Sequence, residues 1–414
     1  MKKLFLLYFC VLLYFVSCNN KEKEPDPLVN CETPVESGKE GVLFWGLCSD
    51  GLLTIVGKGE MRNYRTSPDE YLPVWFEFRD EITSVIIGES VSTIGDYAFF
   101  IFEKMISVDI FNSVSSIGRN SFAGCSSLAS ITIPNSVNNI GSGAFSECSE
   151  LKSVTLSNTL KTIGEEAFYK CSSLSSIEFP NSVNSIGNGS FSGCSELTSV
   201  TIPNSVTDIG SEAFSECSAL TSITIPNSVS KIEYGVFLNC KSLETITFPN
   251  TINALGDEAF AGCSNLTAVI IPNLVTKIGY ATFRNCGSLK SLSIVSSVTT
   301  IGDEAFAGCF SLESLYMPNP VAVIGKRAFF NCTEMKSITI PESVVTINEE
   351  AFGNCISVTE IENYATTPQT INNTVFINLD KSKCTLFVPD GSVDTYKKNY
   401  LWNEFIIKPL SEHQ

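Results

Sequence analysis

The chain has 414 residues, 16 cysteines, three tryptophans, one histidine and a formal net charge of −17. That charge disfavours nucleic acid and anionic membrane surfaces as partners and otherwise serves solubility. The lone histidine, His413, leaves no Ser-His-Asp or Cys-His arrangement to build inside the folded body, and no glycine-rich phosphate loop occurs.

Residues 1–17 read as a signal peptide: Met1-Lys2-Lys3 is basic, and the apolar run Leu4 to Val16 is too short to span a bilayer. Ser17-Cys18 resembles the lipobox of bacterial lipoproteins, with Phe15 where leucine is usual, and makes Cys18 the expected lipid attachment. The alternative is an ordinary cleaved signal with an incidental Cys18. Residues 18–30 form the expected lipidated tether, since Asn19 to Pro27 is polar, charged and proline-bearing. Its Lys/Glu run resembles the surface-export signal of some Gram-negative anaerobe lipoproteins. If that signal is read, the body stands outside the outer membrane; if not, it stays periplasmic.

Residues 31–80 read as a β-rich N-terminal cap. Val42 to Gly57 gives two strands joined at Asp50-Gly51, a hairpin signal. Trp45 and Trp75 lie here, outside the repeats, and suit end cover better than a sugar platform. Cys31 and Cys48 are the disulfide candidates, left open between bonded and free.

Residues 81–362 are periodic. Twelve phenylalanines, from Phe99 to Phe352, each fall 23 residues after the last, and eleven cysteines, Cys125 to Cys355, follow them by three. A fixed period this short means one coil per repeat, stacked as a solenoid. Each coil opens on a β-branched strand with apolar positions 1, 4 and 6 facing the core, as in Leu220, Ile223 and Ile225. Proline often ends the strand, as at Pro226. An Ile-Gly pair follows, as in Ile140-Gly141; its glycine serves either an unusual backbone angle or close approach between coils. Glu233 and Asn348 replace it in two coils. The A-F-x-x-C segment reads as about one helical turn. The expected fold is therefore an α/β repeat solenoid: right-handed leucine-rich coils, a parallel concave sheet, and short helical or 3-10 turns on the convex side. Thirteen strands, Ile82 to Val358, span roughly 58 Å at strand spacing.

Eleven thiols at equivalent positions point the same way and act as small hydrophobes rather than a disulfide framework. No metal site is expected, because there is no C-x-x-C pair and His413 stands alone in sequence. No cofactor is expected either.

Strand positions 2, 3 and 5 face the concave side and are mostly Ser and Thr. Either they make a hydrogen-bonding face for an extended partner, or Thr simply favours strands and Ser satisfies solvent. Lys152, Glu178, Glu244, Ile270, Lys290, Glu313, Tyr316, Lys336, Glu360 and Glu362 interrupt the rows. Tyr316 beside Glu313, with Lys290 and Lys336 one coil either side, is the candidate ligand contact. Glu360 and Glu362 share a strand face about 7 Å apart, a spacing that would suit glycoside hydrolysis. With no deep pocket expected around them they read as solvated, and the chain reads as a non-enzyme.

Residues 363–414 read as a C-terminal cap, with one strand at Cys384 to Pro389, then a helix and a terminal strand around Tyr396, Tyr400, Trp402 and Phe405.

The units T-S-I-T-I-P-N-S-V (221–229) and I-G-D-E-A-F-A-G-C (301–309) resemble the BspA-like leucine-rich repeat over about residues 80–362. The segments G-L-L-T-I-V-G-K-G-E-M and V-P-D-G-S-V-D-T-Y-K-K-N-Y-L-W resemble the regions that flank such repeats. The resemblance implies a bacterial cell-surface protein. Some members bind host matrix proteins such as fibronectin and fibrinogen or promote coaggregation; many have no known ligand, and the family defines no catalytic residues. The expectation is an adhesin-like, lipid-anchored recognition protein for a host extracellular-matrix protein or surface glycan. The alternative is a structural or accessory lipoprotein, outer-membrane or periplasmic, without a host ligand.

Overall fold

The regular beat of phenylalanine becomes the axis of the molecule. A computed structural model describes residues 31, 33–66 and 71–413; the expected signal, Cys18 and the tether lie outside the described residues. From Phe99 to Phe352 the rings stack face to face, centroids 5.2 to 6.0 Å apart. Phe376 adds a thirteenth ring 5.5 Å from Phe352, one residue off the beat. Trp75 stacks on Phe99 at one end, and Trp402 meets Phe376 edge-on at the other. Both tryptophans are fully buried, and their indole N–H groups donate to the Ala98 and Gln369 carbonyls. Large rings thus close both ends of a core that would otherwise face water.

Every coil carries a strand of the first ladder. Ser199, Val200 and Thr201 pair in parallel with Ser222, Ile223 and Thr224, so equivalent residues of successive coils stand side by side. Positions 1, 4 and 6 are buried, as at Leu220, Ile223 and Ile225. At the N-terminal end β1 (Pro34–Glu40), β2 (Leu43–Cys48) and β3 (Leu52–Gly57) form an antiparallel meander. Cys31 is bonded to Cys48, which resolves the open disulfide reading. The last strand of the meander pairs in parallel with Ser84–Ile87 and so passes the sheet to the repeats. At the other end Glu360–Asn363 pairs with Thr385–Val388, and that strand with Ile406–Pro409.

A second parallel ladder, absent from the sequence reading, is built from two-residue strands at the Ile-Gly pairs. Asn139–Ile140 lies between Ser116–Ile117 and Thr162–Ile163. Two residues are too few to show an alternating pattern. The recurring glycine follows these strands, and close approach is its reason, not an unusual angle. A Cβ built on Gly187 would lie 2.6 Å from the Glu165 backbone nitrogen, and one on Gly325 2.4 Å from the Gly302 carbonyl carbon.

The convex side departs from expectation: the A-F-x-x-C segments form no helix. The residues two before and two after each phenylalanine are left-handed, such as Glu166 (φ 54°) and Lys170 (φ 54°) around Phe168. A left-handed residue at each flank stops helical propagation. It also turns alternate N–H groups along the solenoid: those of Glu166, Phe168 and Lys170 donate to Asn188, Ser190 and Ser192 of the next coil. Among the described residues the α-helix is Val393–Lys398, in the C-terminal cap.

All eleven repeat thiols are buried and free. They are also more than apolar filler. Each Sγ–H donates to the carbonyl of the phenylalanine in the preceding coil, as Cys171 does to Phe145 at 3.1 Å and Cys332 to Phe306 at 3.4 Å. Burial pushes the Cys240 and Cys309 thiols up to about 12, so they stay protonated and able to donate.

Candidate functional site

The exposed face of the first ladder carries the residues that the repeat does not require. Ser130 and Ser153, then Thr132 and Thr155, stand in register and exposed, as do Ser199 with Ser222 and Thr201 with Thr224. These rows are uncharged and repetitive. Further along, Ile270 is 71% exposed and Tyr316 is 67% exposed. Each occupies the position that is threonine elsewhere, so their apolar surface is not demanded by packing.

The fold brings part of the predicted contact together. Lys336 Nζ lies 3.7 Å from Glu313 Oε2, at equivalent strand positions of adjacent coils. Lys290 holds the same position one coil earlier and is exposed; among the described residues it has no ion-pair partner. Tyr316 lies on the same strand as Glu313's neighbour Ser314 and pairs in register with Thr339. Thr339 Oγ1 in turn donates to Glu362 Oε2 at 3.2 Å, as the Tyr364 phenol does at 3.3 Å. Burial and the Glu362 carboxylate together push that phenol up from its ordinary value.

His413 is alone in sequence but not in space. The chain leaves Ile406–Pro409, makes the short 3-10 turn Leu410–Glu412, and lays the imidazole across the Phe387 ring, centroids 4.6 Å apart. There His413 Nε2 is 2.5 Å from Glu360 Oε1 and Nδ1 is 2.9 Å from Glu362 Oε1. Sequence spacing missed this cluster, because His413 and Glu360 are 53 residues apart and meet across an intervening strand. The two glutamates are thus engaged with His413 rather than solvated alone.

The family model for the BspA type leucine rich repeat region, in six copies, matches residues 74–198, 161–289 and 253–383, well over half of the chain. The chain belongs to the BspA-type leucine-rich repeat family. No curated protein sequence matches it. Among solved structures, a leucine-rich repeat protein from Bacteroides ovatus is 28% identical with a TM-score of 0.62, over 78% of this chain and 94% of that one. A leucine-rich repeat protein from Eubacterium ventriosum is 24% identical with a TM-score of 0.52, over 82% and 91%. The pneumococcal vaccine antigen PcpA, 18% identical with a TM-score of 0.50 over 91% and 99%, shares the fold. BspA-type repeats are often surface-associated and are generally not enzymes, which agrees with a face of hydroxyls and scattered charges. No described helix is long and apolar enough to cross a membrane.

Proposed function

We propose that this BspA-type protein is an adhesin-like recognition module, not an enzyme, anchored by lipid at Cys18 and displayed on the outer membrane surface. Its ligand, a host matrix protein or surface glycan, lies along the strand face and centres on Tyr316 with Lys290, Glu313 and Lys336. The observation that carries this reading is the exposure of Tyr316 on a face otherwise built of small hydroxyls. An aromatic ring flanked by charges is the usual composition of a binding anchor, and a solenoid supplies the long surface around it. The basic start and apolar run before Cys18 support export, and the charged tether supplies reach.

Two measurements test the reading. Residues 19–414 contain every described element and lack the lipid site; they are screened against matrix proteins and glycans. A saturable hit should weaken by roughly tenfold or more in Tyr316→Ala and in the double variant Lys290→Glu, Lys336→Glu. Unchanged binding in both variants places the contact elsewhere, and no hit from folded protein favours the structural lipoprotein. Protease treatment of intact cells should cleave the protein; full protection rules out display.

A further inference from the structure

We propose that Glu360, Glu362 and His413 form a site for a borderline first-row divalent cation such as Zn2+, ligated by His413 Nε2 and the Glu360 carboxylate. The argument starts from what each carboxylate already accepts. Glu362 receives the Thr339 hydroxyl, the Tyr364 phenol and His413 Nδ1. Of the two neutral tautomers, only the Nδ1–H form donates to such an acceptor. The neutral ring then points the Nε2 lone pair at Glu360 Oε1, 2.5 Å away. Lone pair facing lone pair at that distance is repulsive unless a positive centre lies between them. A proton can do this, and so can a metal ion.

Several features favour the metal. The donor atoms of Glu360, Glu362 and His413 lie within 4.8 Å of one another, which gathers two carboxylates around the imidazole. The ring is seated on Phe387, and its far nitrogen is oriented by a carboxylate that is itself doubly hydrogen-bonded, the arrangement that supports a histidine ligand from behind. Seating an ion with bonds of about 2.0 Å requires the nitrogen–oxygen pair to part to about 3.3 Å, tetrahedral spacing. Side-chain rotation provides that, since Glu360 and His413 are 38% and 29% exposed. The remaining positions go to water. One imidazole with carboxylate oxygen suits zinc and its neighbours better than calcium or magnesium, which take oxygen cages. Bound there, the ion would fasten the segment after Ile406–Pro409 across Phe387 to the last full repeat.

The test is calorimetric titration of tag-free residues 19–414 with ZnCl2. Saturable binding of one ion is expected, lost in His413→Ala and in Glu360→Gln, and weakened 10–100-fold in Glu362→Gln, the orienting residue. Glu178→Gln, on the same face but remote from the cluster, should bind as the parent does. Circular dichroism of each variant confirms folding. Absence of zinc binding to the folded parent overturns the proposal and leaves a proton as the bridging charge. Binding that survives both His413→Ala and Glu360→Gln overturns it as well, and equal competition by Ca2+ overturns the assignment of the imidazole as ligand.

Discussion

Two neighbouring stretches of the second ladder behave differently. From Gly59–Glu60 to Asp208–Ile209 it runs unbroken through seven strands; between Ile209 and Lys231 it stops, then resumes for six more. Glu233 occupies the glycine slot at the break. The equivalent Gly187 and Gly210 donate to Ile163 and Ile186 at 3.0 and 2.9 Å, and the Phe214 and Phe237 rings, which flank the break, are 6.0 Å apart against 5.3 Å for Phe168 and Phe191. Asn348 fills the same slot without a break: its N–H and its Nδ2 both donate to the Ile324 carbonyl, at 3.0 and 3.1 Å. The difference is chemical. An amide side chain can donate to the carbonyl it crowds, whereas a carboxylate only accepts, and Glu233 turns to Lys231. The first ladder and the thiols continue through the interruption, with Cys240 still donating to Phe214 at 3.2 Å. The second ladder tolerates a fault that the first ladder and the thiol bonds do not share.

The largest effect should come from that uniform core. Unfolded thiols ionise at about 8.5, while burial holds Cys240 and Cys309 at about 12 in the folded chain. A raised folded pKa means the stability is fully present below the unfolded value and is lost as pH rises toward the folded one. Each thiol then removes up to ~1.4 kcal/mol per pH unit. The urea midpoint should therefore fall steeply between pH 9 and 12, the window those values set. Cys240→Ala, beside the fault, and Cys309→Ala, away from it, should flatten the fall equally. Unequal flattening would show that the fault reaches the core.

Next in size is the ring stack. Phe168→Ala removes a fully buried ring between two close neighbours and should cost about 3–5 kcal/mol in denaturant unfolding. Phe237 already has one wider gap, so its coil can collapse further around the deletion. Phe237→Ala should cost about 1 kcal/mol less than Phe168→Ala, because the penalty grows with the residual cavity. Equal costs would confine the fault to the ladder edge.

How much of this was legible follows from what each residue must do in every coil. Phe, Cys and the strand apolars meet the same neighbours eleven to thirteen times over, so period alone placed them. The second ladder was hidden because a two-residue strand has no alternation. The convex turns were misread because spacing of three suits both a helical turn and a turn flanked by left-handed residues. Gly124, Gly193, Asn239, Gly262, Asn285 and Asn331, all two after phenylalanine, were the available signal, since glycine and asparagine accept that angle readily. On the strand face, Glu313 and Lys336 were found because neighbouring coils align equal positions. His413 was not, since it reaches the face from outside the period and no repeat rule constrains it.

The smallest effect is the sharpest test of the comparison. Glu233→Gly removes the carboxylate that cannot donate to the preceding coil and a Cβ of the kind that, built at Gly187 or Gly210, would crowd the preceding coil's backbone. Asp208 and Ile209 should then pair with Lys231 and Ile232, and stability should rise by about 1 kcal/mol, the scale of other single-site repairs. Part of the gain is offset by the greater chain entropy of glycine in the unfolded state. Glu233→Asn isolates the chemical argument, because it keeps a Cβ while supplying a donor as Asn348 does. If Asn restores slowed exchange of the amide at position 233, whose equivalents at Gly187 and Gly210 donate to the preceding coil, as well as Gly does, the missing donor opened the ladder. If only Gly does, the Cβ alone was enough, and the coil at Asn348 must hold for some other reason.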